Sequence, residues 1–234
     1  MTALENNPSP SPIPFSNPAP ASVEESAMSH TLDDNVTINY VPERGSRKDL
    51  NMGGDARLRS NTIIYGGSTI GTGLTTGHNV IVREECEIGD DVSIWSNTVI
   101  DYGTTIGNRV KIHSNCYVAQ FTVIEDDAFL APGVTIANDL YPGDDDSADA
   151  MAGPHIGAGA QIGAGVTLLP YVKIGAGALI GSGAVVTRDV PAGMVAIGNP
   201  ARVTKAVADL APIASRDDIR APKDDEQFLE TDSK

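Results

Sequence analysis

From Leu58 the chain repeats every six residues. Cut into sixes without a gap, residues 58–141 read LRSNTI, IYGGST, IGTGLT, TGHNVI, VREECE, IGDDVS, IWSNTV, IDYGTT, IGNRVK, IHSNCY, VAQFTV, IEDDAF, LAPGVT and IANDLY. The first position is aliphatic in thirteen of these fourteen blocks, with Thr76 the exception, and the fifth is small or apolar from Thr62 to Leu140. The rhythm then stops and resumes at Ile156 for six more blocks, all with an aliphatic first residue. A period of six fits neither the two-residue alternation of an ordinary strand nor the 3.6-residue turn of a helix. It fits a chain in which short strands alternate with turns and three such units close a triangular coil. The first-position side chain fills the prism, the fifth points inward and must be small, and Gly and Asn supply the backbone angles of the turns. Twenty blocks make six to seven coils, a rod of roughly 30 Å at the spacing of about 4.8 Å between strands. The predicted fold class is therefore all-β, a parallel β-helix.

The interruption divides the pattern. Residues 1–50 are read as a Pro-rich N-terminal tail and lead-in, residues 51–202 as the β-helix with a loop excursion at 142–155, and residues 203–234 as a short helix followed by an acidic tail. The helix is expected near 203–210, capping the open end of the solenoid. Both tails are expected to be disordered, the first because of its proline content and the second because of its charge. The interrupting stretch, GDDDSADAMAGPH, is acidic and polar, and it must leave the prism and return in register.

Composition narrows the function. The net charge of −15 leaves no basic stripe for nucleic acid. No apolar run approaches the roughly 18 residues a membrane span needs. The N-terminus lacks a basic stretch followed by an apolar one, so the expected location is the cytoplasm. The register also settles several reactive residues. Cys86 and Cys116 take inward fifth positions, which makes them packed thiols rather than nucleophiles or metal ligands. Trp95, at a second position, is expected on a flat face at a subunit contact. The glycines around 157–165 fall where turns are required, so they are not read as a phosphate loop.

Four segments carry a more specific likeness: TGHNVIVRE at 76–84, GNRVKIHSN at 107–115, IEDDAFLAPGVTIANDLYP at 124–142 and VVTRDVPAGMVAIGNPAR at 185–202. With them the chain resembles the hexapeptide-repeat acyltransferases, and among these the N-acetyltransferases that act on nucleotide-linked amino sugars in surface polysaccharide biosynthesis. The resemblance implies a left-handed β-helix, a homotrimer with sites at subunit interfaces, acetyl-CoA as co-substrate, a nucleotide-linked amino sugar as partner and no metal. It implies a catalytic group of Asn138, Asp139 and His113. Asn138 would accept a hydrogen bond from the attacking amine, Asp139 would hold its ammonium form, and His113 is the better placed base. His78, Arg83, Glu84, Gln120 and Tyr141 would bind the sugar nucleotide. Gln120 lies one coil below Asn138, about 4.8 Å away. Acetyl-CoA would lie along Gly163, Ala164, Ala176 and Gly181, with Arg188 and Arg202 near its phosphates and Asn199 and Pro200 beside its adenine. His155, at the return of the rhythm, would flank the thioester.

Three other readings of the fold stay open at this point. An O-acetyltransferase on a sugar or serine hydroxyl would need a firmer histidine base. A non-catalytic scaffold would keep the rhythm but would not need the ND.YP loop or the GNPAR segment. The zinc-dependent γ-class carbonic anhydrases need three histidines, and the position that would supply the partner of His113 is Val118.

Overall fold

A computed structural model describes residues 29–43, 49–144 and 146–211. The expected disorder of the two tails lies largely outside these residues. The chain winds into three sheets of ten, eight and seven strands, parallel except at the last strand of the first, and every other strand pairs with the one a full coil away. Most strands are two residues long, formed by the sixth position of one block and the first of the next. Thus Ser93–Ile94 belongs to the first sheet, Val99–Ile100 to the second and Thr105–Ile106 to the third. Partners are eighteen residues apart, as in Val99 against Tyr117. Three edges join the sheets: first to second, second to third, and third to first.

The two inward positions build the core. Every first-position residue from Leu58 to Ile136 and from Ile156 to Val186 is buried, including Thr76. The hydroxyl of Thr76 pairs with that of Thr62 at 3.0 Å and accepts the Arg59 N–H, so this polar residue leaves nothing unsatisfied. The fourth position turns the corner. It has positive φ in every block from Asn61 to Gly133, and again at Gly159, Gly165, Tyr171, Gly177 and Gly183. At most of these sites Gly, Asn or Asp tolerates the left-handed backbone, but Phe121 and Tyr171 adopt it with bulky side chains. Cys86 and Cys116 are buried and unpaired, and burial pushes the Cys86 thiol up to about 12, as expected of packed thiols.

The structure departs from the sequence reading at both ends. Strands Thr31–Leu32 and Thr37–Tyr40 already pair with Arg57–Leu58 and Ile63–Tyr65, so coiling starts within the lead-in. In place of the C-terminal helix, Arg202–Ala206 forms an antiparallel strand on Met194–Ile197, followed by a single 3-10 turn at Val207–Asp209. The β-branched Val203 and Thr204 favour a strand, and the open edge of the first sheet provides its partner.

The interruption also sits differently. Ile136, Ala137 and Asn138 complete half a block, and Pro154 and His155 supply its end, with Pro154 buried and its carbonyl accepting the Val123 N–H. Across the insertion, partners are 32 residues apart rather than 18, as in Val123 against His155, so fourteen residues are extra. The excursion leaves after Asn138, not at 142. Leu140 is consequently exposed rather than inward. The Ala152 N–H donates to the Asn138 carbonyl at 3.0 Å and closes the loop at its base. The Tyr171 hydroxyl donates to the Ala150 carbonyl and ties the loop to the coil above.

Candidate active site on two edges of the solenoid

The second–third edge carries a ladder of polar side chains. Blocks eighteen residues apart stack there, bringing Arg83 and Glu84, Asp101 and Tyr102, Gln120 and Phe121, and Asn138 into one column. Asn138 Nδ2 donates to Gln120 Oε1 at 2.5 Å, and Gln120 Nε2 donates to Asp101 Oδ2 at 2.9 Å. The Tyr117 hydroxyl donates to the same oxygen at 2.7 Å, and the Tyr102 N–H to Asp101 Oδ1 at 2.8 Å. Below, Arg83 grips Glu84 through two bonds of 2.8 and 2.9 Å, reaches Asp101 at 3.6 Å and covers the Tyr65 ring. Glu84 is 1% exposed, Asp101 6% and Asn138 9%. Burial, and then the bond to Asp101, pushes the Tyr117 hydroxyl up to about 12, so it remains a donor at neutral pH.

This edge gathers three of the expected substrate residues, Arg83, Glu84 and Gln120, with the expected catalytic Asn138, and Tyr141 stands beside them on the loop. Arg83 and Glu84 are engaged with each other, so their charges are largely spent on the fold. Asp139 Oδ1 accepts the Tyr141 N–H at 2.9 Å and shapes the start of the loop. Tyr141 projects outward, 73% exposed. Sequence reasoning missed Asp101, the buried acceptor at the centre of the ladder, and the aromatic pair of Tyr102 and Phe121, edge to face at 5.4 Å. The signal for Asp101 was a carboxylate in the second position, one coil from Arg83.

The first–second edge holds the histidines. His113 stacks on Trp95 with ring centroids 4.3 Å apart and leans on Phe129 at 5.0 Å. Trp95 is therefore part of an aromatic stack on an edge rather than on a flat face. The His113 ring nitrogens take no hydrogen bond from the described residues. His78 lies two coils below on the same edge. Farther up follow Gly163, Ala164 and Gly181. A Cβ on Gly163 would come within 2.6 Å of the Ser182 N, and one on Gly181 within 2.6 Å of Ile197 Cγ2. Close stacking of coils thus already requires Gly163, where the clash is with backbone, whereas at Gly181 only the exposed Ile197 side chain would have to move.

The expected acetyl-CoA residues are only partly brought together: the turn of Asn199 and Pro200 bonds to Val185 and so continues the edge of Gly163, Ala164 and Gly181, whereas two others stand apart. Ala176 stands on the third–first edge and Arg188 on the second–third edge, above Asn138. Asn199 and Pro200, joined by a cis peptide bond, lie in the turn before Arg202, whose Nη1 donates to the Ala201 carbonyl. The same slot in successive blocks visits all three edges, so Ala176 and Arg188 do not share the edge of Gly163, Ala164 and Gly181. His113 and Asn138 likewise stand on different edges of one chain. His155 is separate from both, with its Nε2 2.7 Å from Glu125 Oε1, while Glu125 Oε2 accepts the Ala158 N–H. Glu125 is held below the usual carboxylate range, chiefly by the His155 bond. No cluster of residues fit to hold a metal occurs among the described residues.

Comparison with known proteins agrees with this architecture. Residues 103–138 and 153–188 match the family described as bacterial transferase hexapeptide (six repeats), on either side of the insertion. The structure is similar to UDP-N-acetylglucosamine O-acyltransferase from Moraxella catarrhalis (24% identity, 76% of this chain and 72% of that chain, TM-score 0.57). It is also similar to UDP-N-acetylglucosamine acyltransferase from Bacteroides fragilis (19% identity, 74% and 73%, TM-score 0.56). A maltose O-acetyltransferase from Clostridium difficile 630 is 30% identical over 54% of this chain and 66% of its own, with a TM-score of 0.40. The chain spans 66% of that protein and 39% of a serine acetyltransferase. No curated protein matches the sequence. The chain folds as a β-helix of six-residue repeats, two stretches of which match that family, and the similar structures named here are those of acyltransferases.

Proposed function

We propose that the protein is an acetyl-CoA-dependent N-acetyltransferase acting on the amino group of a nucleotide-linked amino sugar in surface polysaccharide biosynthesis, working as a homotrimer in the cytoplasm. The observation that carries this reading is the outer face of the second sheet. Ile63, Ile81, Val99 and Tyr117 are cross-strand neighbours that point outward there and form an apolar stripe. That face is flanked by the His113 edge on one side and the Asn138 edge on the other. Three chains turning this face toward a threefold axis would set one chain's His113 edge against the next chain's Asn138 edge.

In such a cleft the loop tip, with Leu140 and Tyr141, would cover the substrate. Asn138 would orient the neutral amine, which attacks the thioester carbonyl. The C–N bond forms, the C–S bond breaks, and the amine proton passes through His113 to the departing thiolate, so coenzyme A leaves as its thiol. A backbone N–H on the neighbouring edge, at Ala164, would stabilise the oxyanion. One such donor contributes about 3 kcal/mol, and positioning supplies much of the remainder. The smooth edge of Gly163, Ala164 and Gly181 would take the pantetheine arm. An O-acetyltransferase shares this scheme but makes a firmer demand on His113, because a hydroxyl must be deprotonated.

The test is acetyl transfer from acetyl-CoA, followed by thiol release, to UDP-, GDP- and dTDP-linked amino sugars and to their hydroxyl counterparts. Transfer to an amine with none to the alcohols supports the proposal. Transfer to alcohols alone selects the O-acetyltransferase, and no transfer to either selects a scaffold.

A further inference from the structure

We infer that Asp101 fixes the polarity of the Asn138 amide, so that Asn138 meets the substrate as a hydrogen-bond acceptor only. This rests on the reading of Asn138 as the residue facing the substrate. An amide offers both a carbonyl and an NH₂, and nothing in the residue itself decides which end turns outward. Here the ladder decides.

A carboxylate only accepts. Asp101 Oδ2 lies between the Tyr117 hydroxyl and the Gln120 amide, at 2.7 and 2.9 Å, so Gln120 must turn its NH₂ toward Asp101. Its Oε1 then faces Asn138. Two carbonyl oxygens would repel at the observed 2.5 Å, so Asn138 must turn Nδ2 inward. Asn138 Oδ1 is left without a partner among the described residues, and it is not sealed from solvent. A group presented to it from outside must be a donor, that is, an amine, an ammonium or a hydroxyl. Asp101 reaches no substrate. It is a positioning residue acting through Gln120, two side chains away, in a ladder where a broken link leaves a buried polar group unpaired.

The ladder can also be run backwards, and that provides the test. Asp101→Asn would place Nδ2 toward Gln120 and Tyr117 while keeping Oδ1 for the Tyr102 N–H and Arg83. Gln120 could then flip and donate to a carboxylate at position 138. Asn138→Asp alone sets a carboxylate oxygen against Gln120 Oε1, whereas Asp101→Asn together with Asn138→Asp satisfies every link in reverse and still offers an outward acceptor. The experiment is a double-mutant cycle at pH 7 or above, read by thermal unfolding and by kcat/KM for the amino sugar selected in the transfer screen. Each single variant is expected to lose several degrees in Tm and about tenfold or more in kcat/KM. The double variant should regain most of the Tm and exceed Asp101→Asn in kcat/KM. If Asp101→Asn does not fold, a double variant more stable than Asn138→Asp alone gives the same support.

Strictly additive losses, or no loss in any variant, would overturn the relay. The Asn138→Ala variant separates the relay from the functional reading beneath it. Unchanged turnover in that variant would remove Asn138 from the substrate and overturn the acceptor role, even if the stability cycle couples.

Discussion

Arg83 shows how one side chain can look like a ligand contact and serve the fold. The likeness to sugar-nucleotide enzymes marks it for substrate binding, but its guanidinium is committed to Glu84 and Asp101, both nearly sealed from water. Removing one partner of a buried ion pair strands the other. Arg83→Ala is therefore expected to destabilise the protein by about 3–5 kcal/mol, seen as a large fall in the thermal midpoint before any effect on KM. A stable variant with a raised KM would return Arg83 to the substrate. The Glu125–His155 pair makes a pH prediction. The folded Glu125 carboxyl titrates below its ordinary value of 4.5, so its stabilisation is fully present above that pH and is lost as pH falls through the lower folded value. The pair is half exposed, so the effect is small. Comparing thermal midpoints from pH 3 to 7, Glu125→Gln should lie slightly below the native protein at neutral pH and converge with it on acidification.

At the scale of elements, the insertion interrupts the six-residue period between Leu58 and Val186, and it can be removed without breaking that period. Joining Asn138 to Gly153 restores a complete block and the eighteen-residue spacing. We expect deletion of residues 139–152 to leave the far-ultraviolet spectrum and solenoid stability close to native while abolishing acetyl transfer. An active deletion variant would show that the loop does not cover the substrate. The same element marks where sequence reading succeeds and fails. The buried first positions and the length of the insertion were legible because each coil repeats one steric requirement. The insertion's true start was not, since Leu140 suits an inward slot and only the bonds of Asn138 and Pro154 reveal the split block. The polar ladder was half legible. Gln120 below Asn138 follows from the period, and so does Asp101 one coil from Arg83, but that its carboxylate is buried at the centre of the ladder is seen only in the structure. The grouping of Ala164, Ala176 and Arg188 failed because six residues carry the chain to a different edge.

For the whole molecule, the proposed threefold assembly would account for both the apolar stripe of the second sheet and the separation of His113 from Asn138. Val99→Glu, at the centre of the stripe, should convert a trimer into monomers by light scattering and abolish transfer without unfolding the coil. The most direct measurement is subunit complementation. His113→Ala and Asn138→Ala are each expected to form trimers with little activity. Unfolded together in equal amounts and refolded, they form mixed trimers in which one of the three interfaces pairs an intact His113 with an intact Asn138. Random mixing should then restore about a quarter of native activity with the amino-sugar substrate. Mixed trimers as inactive as either parent would contradict a site shared between neighbouring subunits.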